Sequence, residues 1–305
     1  MPLPMLHGVI PILVTPFHED GRIDEESLAN LVDFNIDAGV HGLGVALGSE
    51  IFKFNEAERA QVTACVIRAA AGRVPIVINT GAAGTDLAIH YSRAAEAAGA
   101  DALMVIPPSF MPVSAEEIFD YYLAIDRAVG IPLILQDVPQ GPVPPGLAIR
   151  IIEACRNVKY IKVETLPVTS KVAAMAAVAG DRLTIFGGAG GSYFIEEMRR
   201  GALGTMPFCS QPADFVAVWD AYQRGDEAEA RQRFDSTIMA INRLGNQGGD
   251  IFYLLHKQLL VRRGVIRTAF VRSPTTALDP VTAGEIEQLL AKIVPVAIPF
   301  GTSAA

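Results

Sequence analysis

The sequence predicts an α/β protein, a (β/α)8 barrel (TIM barrel) carrying a small C-terminal helical extension. Short apolar, β-rich runs alternate with amphipathic helical stretches eight times, at the spacing of roughly 20 to 30 residues that parallel βα units require. The runs are also continuously apolar, as in Leu133-Ile134-Leu135. Strands buried on both faces read that way, whereas a half-solvated antiparallel sheet would alternate. At 305 residues the chain stays within the span of one such barrel, so length alone does not force a split.

Taken in order, the predicted strands cover residues 8–17, 42–48, 75–81, 102–108, 132–139, 158–165, 183–188 and 204–209. Between them, amphipathic segments at 24–38, 55–71, 86–98, 114–129 and 145–156 open on Asp, Asn, Ser or Pro, and several close on Gly, as helices do. No Gly-x-Gly-x-x-Gly turn follows the first strand, which disfavours an open dinucleotide-binding sheet. The cluster Gly187-Gly188-Ala189-Gly190-Gly191 comes too late and is too loose for that role. Three more helices are expected at 227–244, 251–262 and 283–293. The expected division is therefore a barrel over residues 1–226 and a helical extension over 227–305, packed on it or against another subunit.

Composition narrows the function. Half of the residues are hydrophobic, yet no apolar run reaches the ~20 residues of a spanning helix, so no membrane is expected. The amino terminus lacks a basic region followed by an apolar core and cleavage site, which points to the cytoplasm. Cys65, Cys155 and Cys209 are odd in number and widely spaced, and read as buried thiols. A net charge of −8 with no basic cluster disfavours nucleic acid and anionic membranes as partners. His7, His18, His41, His90 and His256 never fall at metal-ligand spacing and no Asp/Glu cluster occurs, so no metal is expected.

Active sites of such barrels lie at the carboxyl ends of the strands. That selects Thr15, Gly48-Ser49-Glu50, Asn79-Thr80, Ser109, Gln136-Asp137, Lys162 with Glu164 and Thr165, and Gly187-Gly188. Lys162 is the most informative. In Tyr160-Ile161-Lys162-Val163-Glu164-Thr165 the strand period puts Lys162 and Glu164 on one face among apolar neighbours. A buried lysine is rare, and desolvation favours the neutral amine that attacks a carbonyl; a structural ion pair with Glu164 is the competing reading. Gly48-Ser49-Glu50 either holds an anion through backbone amides or is a plain strand-to-helix turn. Asp137 follows Gln136, so it should point to the opposite face and serve as a structural anchor.

Motif order then adds a resemblance. Leu13-Val14-Thr15-Pro16-Phe17, Gly48-Ser49-Glu50 with Phe54-Asn55-Glu56-Ala57-Glu58-Arg59, Pro75-Ile76-Val77-Ile78-Asn79-Thr80-Gly81, Val105-Ile106-Pro107-Pro108, Leu135-Gln136-Asp137-Val138-Pro139 and Ile161-Lys162 occur in sequence. Over roughly the whole chain this resembles the dihydrodipicolinate synthase and N-acetylneuraminate lyase family of class I aldolases. The resemblance implies that Lys162 forms an imine with a 2-keto acid, that no cofactor is needed, and that the chain forms a homo-oligomer, a tetramer built as a dimer of dimers. Family members carry a tyrosine where Gln136 stands and another where Ser109 stands. Ser49-Glu50, Gln136-Asp137-Val138-Pro139 and Lys162-Val163-Glu164-Thr165 are similar to the L-2-keto-3-deoxyarabonate dehydratase branch.

That similarity implies dehydration of a 2-keto-3-deoxy sugar acid, with Lys162, Glu164 and Gln136 as the catalytic set. Thr15, Gly48, Ser49, Ser109, Thr165, Gly187 and Gly188 are the expected substrate-binding residues. A pyruvate-dependent aldolase using the same lysine, or a non-catalytic 2-keto acid binding protein, are the alternatives.

Overall fold

The computed structural model describes residues 6–248 and 250–302. Eight strands form one parallel sheet: β1 (Gly8–Val9), β2 (Leu43–Val45), β3 (Ile76–Asn79), β4 (Ala102–Val105), β5 (Leu133–Asp137), β6 (Val158–Val163), β7 (Thr184–Gly187) and β8 (Gly204–Thr205). Their order is β1-β8-β7-β6-β5-β4-β3-β2, the cyclic sequence of a (β/α)8 barrel, and the fold is of that class. Each strand lies inside its predicted run. The first and last are much shorter than expected. Pro11 and Pro207 contribute no N–H to a ladder, so regular pairing stops before each of them.

Helices α1 (Glu25–Asp37), α2 (Glu56–Ala70), α3 (Thr85–Ala98), α4 (Ala115–Ala128), α5 (Pro145–Ala154), α6 (Val168–Ala179), α7 (Phe194–Met198) and α8 (Pro212–Gln223) alternate with the strands along the chain. The start signals work as the sequence suggests. Asn55 with Glu58 and Ser114 with Glu117 form complete capping boxes, Asp24 caps α1 by accepting from the Ser27 amide, and Pro145 opens α5. Beyond α8 come α9 (Glu227–Arg233), α10 (Met239–Gly245), α11 (Ile251–Arg262) and α12 (Pro280–Ile293). The single helix expected over 227–244 is interrupted by a π-helical turn at Phe234–Ile238.

By mutual packing the chain forms two compact units. One runs to Pro11 and includes His41–Ala46 and Gly72–Pro207, and so holds all eight strands with α3 to α7. The other holds Ile12–Val40, Leu47–Ala71 and the chain from Phe208, and so groups α1, α2 and α8 with α9 to α12. This grouping cuts across the expected boundary at 226/227. In the second unit Ile241, Leu244, Leu255, Leu259, Ile286 and Leu290 interlock α10, α11 and α12, each worth roughly 1.5 to 3 kcal/mol when fully buried. All three cysteines are buried thiols. No helix among the described residues is long and apolar enough to cross a membrane.

Candidate active site

Strand register assembles the centre of the first unit. Gln136 on β5 pairs with Lys162 on β6, which pairs with Phe186 on β7, so the three side chains share one face of the sheet. Lys162 is only 5% exposed, and its Nζ lies 3.0 Å from Glu164 Oε1. Gln136 donates through Nε2 to Glu164 Oε2 at 3.1 Å, and its own Oε1 accepts from Asn79 Nδ2 at 2.7 Å. The Ala189 amide donates to Glu164 Oε1 at 3.2 Å. Glu164 is therefore fixed on both oxygens, beside an amine that has no other polar partner among the described residues. Two residues earlier on β6, Tyr160 packs against Phe186 with tilted rings 6.2 Å apart, and its hydroxyl accepts from the Leu6 amide at 3.2 Å.

On the opposite face, Asp137 accepts from Val143 N at 2.8 Å, Thr165 Oγ1 at 2.8 Å and Lys171 Nζ at 2.6 Å. It ties the loops after β5 and β6 together, which sets the direction in which Lys162 and Glu164 leave their strand. The Thr165 hydroxyl is spent on this anchor, on the far side from the amine. Gly187 and Gly188 act by lacking side chains. A Cβ at Gly188 would overlap the Glu164 side chain, and one at Gly187 would overlap a carboxyl oxygen of Glu197 on α7. Ser109 stands in a loop cavity of about 450 Å³ lined also by Phe110, Met111 and Gly141.

Thr15, Gly48, Ser49 and Glu50 belong to the second unit. The Thr15 hydroxyl donates to the Ser49 carbonyl at 2.8 Å, and the Ser49 hydroxyl donates to the Leu13 carbonyl. Both hydroxyls thus hold the loops against each other. Glu50 sits at φ 60, a left-handed conformation that costs a non-glycine residue of order 1 kcal/mol. Its carboxylate compensates by accepting from Lys257 Nζ at 2.6 Å and Lys53 Nζ at 3.0 Å. Lys257 is fully buried and also donates to the Phe270 carbonyl at 2.8 Å. Burial pulls its ammonium down to about 8, against the opposing pull of Glu50.

Comparison with known proteins places the chain in a family. A model of the dihydrodipicolinate synthetase family matches residues 5–293. The chain belongs to that family. Members of the dihydrodipicolinate synthetase family are lyases acting on small molecules. An L-2-keto-3-deoxyarabonate dehydratase from Azospirillum brasilense is 28% identical over 303 residues, 97% of each chain. A 4-hydroxy-tetrahydrodipicolinate synthase from Alkalilimnicola ehrlichii is 32% identical over 246 residues, 78% of this chain and 82% of the other. A prophage protein of the same family from E. coli K12, solved in complex with pyruvate, superposes with a TM-score of 0.87 at 25% identity, covering 95% of this chain and 99% of that one.

Two residues of weight, Glu197 and Lys257, escaped the sequence-based site, and a third, Asn79, was selected without its role. Asn79 was visible as a strand-end residue, but its hold on Gln136 depends on the β3 to β5 geometry. Glu197 on α7 and Lys257 on α11 are buried titratable residues, and no sequence signal marks either as buried.

Proposed function

We propose that this chain is a Schiff-base-forming hydro-lyase that dehydrates a 2-keto-3-deoxy sugar acid, L-2-keto-3-deoxyarabonate being the favoured substrate. The observation that carries the reading is the pair of Lys162 Nζ and Glu164 Oε1 at 3.0 Å, with Gln136 on the carboxylate's second oxygen. The amine attacks the C2 carbonyl and water leaves, giving a protonated imine that acidifies C3. Glu164, which touches the amine, takes a C3 proton and returns a proton to the departing C4 hydroxyl, which leaves as water. Loss of a C5 proton and reprotonation at C3 leave an enol at C4–C5 that tautomerises to the aldehyde. Hydrolysis of the imine then frees α-ketoglutarate semialdehyde and Lys162. Gln136 cannot titrate and orients Glu164 through its amide.

The dehydratase relative aligned along 97% of both chains supports the reaction type, and the pyruvate complex of the prophage relative supports a 2-keto acid as the ligand class. The synthase relatives favour a second reading, aldol chemistry with release of pyruvate through the same lysine. Incubation with L- and D-2-keto-3-deoxypentonate, followed by product mass measurement beside Lys162→Ala, separates the two. Lysine-dependent loss of water is expected; pyruvate release would replace the dehydratase with an aldolase.

A further inference from the structure

Glu197 is a buried carboxyl that the scheme above does not use. It lies on α7, is 0% exposed, and neither of its side-chain oxygens has a hydrogen-bond partner among the described residues. Its position is defined by the glycines that end β7. The space a Gly187 side chain would fill holds a Glu197 oxygen, and the space a Gly188 side chain would fill holds the Glu164 side chain. Successive residues of a strand face opposite ways, so the two glutamates approach the same stretch of bare backbone from its two sides. Any larger residues there would push the carboxyls apart.

The charged groups around Glu197 are few. On its own helix the neighbour is Glu196. From β6 and its end come Lys162 and Glu164; α6 offers only Lys171, which is bound to Asp137, and β7 and β8 carry no titratable residue. The Thr205 hydroxyl on β8, paired with Gly187, is likewise buried and without a hydrogen-bond partner among the described residues. Burial first, then the charge of Glu164 and that of Glu196, push the Glu197 carboxyl up to about 8. Lys162 and the Gly188 amide pull the other way, the amide short of hydrogen-bond geometry. The coupling is mutual: an ionised Glu197 would stabilise the ammonium form of Lys162 and oppose the charge on Glu164.

We propose that Glu197 is a positioning residue for the reaction above, a reserve carboxyl behind the Gly187-Gly188 strand end whose charge governs how readily Lys162 becomes the free amine. Ionisation of Glu197 adds a negative charge across the strand end from Glu164, and such a charge favours the ammonium of a nearby lysine over its free amine. The inference rests on Lys162 being the imine-forming residue.

The test is reductive trapping of pyruvate with borohydride, measured as the rate of adduct formation on Lys162 from pH 6 to 10. Glu197→Gln has the same size and stays neutral. Below pH 7 its labelling should match that of the natural protein. Its alkaline rise should begin lower by about one pH unit, the scale on which a nearby charge shifts a titration. Glu197→Asp, which restores a carboxyl, should return the profile toward that of the natural protein. Superimposable profiles for the natural protein and Glu197→Gln overturn the inference while leaving the imine intact. No adduct on Lys162 in the natural protein overturns the Schiff-base reading, and this inference with it. An infrared titration of the natural protein needs no variant: a buried protonated carboxyl should disappear between pH 7 and 9, and its absence at pH 7 overturns the proposal.

Discussion

Two lysines of this chain are removed from water and paired with a glutamate, and they are built for opposite ends. Lys257, in the second unit, has its three donor directions occupied by Glu50 Oε1, the Phe270 carbonyl and the face of Phe17 at 4.5 Å, and it is 0% exposed. Lys162, in the first unit, has one polar partner among the described residues, Glu164, and retains 5% exposure at the carboxyl end of β6. Burial and a carboxylate are common to both. Unfilled hydrogen-bond positions on the nitrogen and a residual exposure set Lys162 apart. The pattern of a buried lysine therefore marks a nucleophile only together with its unfilled coordination.

The sharpest way to break this contrast is to delete each nitrogen. Lys162→Ala should lower turnover on the order of 10⁴-fold or more, the scale on which loss of a covalent nucleophile reads, with thermal stability nearly unchanged. Next in size, Glu164→Gln should slow turnover by about 10²- to 10⁴-fold while pyruvate trapping on Lys162 persists, because the imine needs the amine and the elimination needs the carboxylate. Equal loss of trapping and turnover would remove the proton-transfer role. Lys257→Ala should behave in the reverse sense, costing roughly 3 to 5 kcal/mol in denaturant unfolding as Glu50 loses a buried partner, while the folded fraction still labels at Lys162.

The smallest effect is a slope. A carboxyl raised to about 8 in the folded chain holds a proton that the unfolded chain releases near the ordinary glutamate value of 4.5. Folding is thus progressively penalised as pH climbs from 4.5 to 8, and the penalty is absent below that window. Relative to the natural protein, Glu197→Gln should gain stability across it by at most about 1.4 kcal/mol per pH unit, then level off. A pH-independent difference would mean that Glu197 is ionised throughout.

Much of this was legible in the sequence because it follows from period and order. The strand alternation that pairs Lys162 with Glu164 on one face, and turns Asp137 to the other, is a backbone property that two residues suffice to state. The capping boxes at Asn55 and Ser114 are equally local. What the sequence did not reveal depends on three-dimensional filling. Thr165 looked like part of the site because it closes β6, but its parity places it with Asp137. Glu197 went unremarked, since nothing in the sequence sets it apart, and the empty Cβ position of Gly187 exposes its place.

Peptide mapping after borohydride reduction in the presence of pyruvate tests the central claim most directly, since it asks which nitrogen carries the carbonyl carbon. A single adduct on the peptide containing Lys162, lost in Lys162→Ala and never found on Lys257, is the expected result. An adduct on any other lysine, or none at all, would contradict the assignment of Lys162 as the nucleophile.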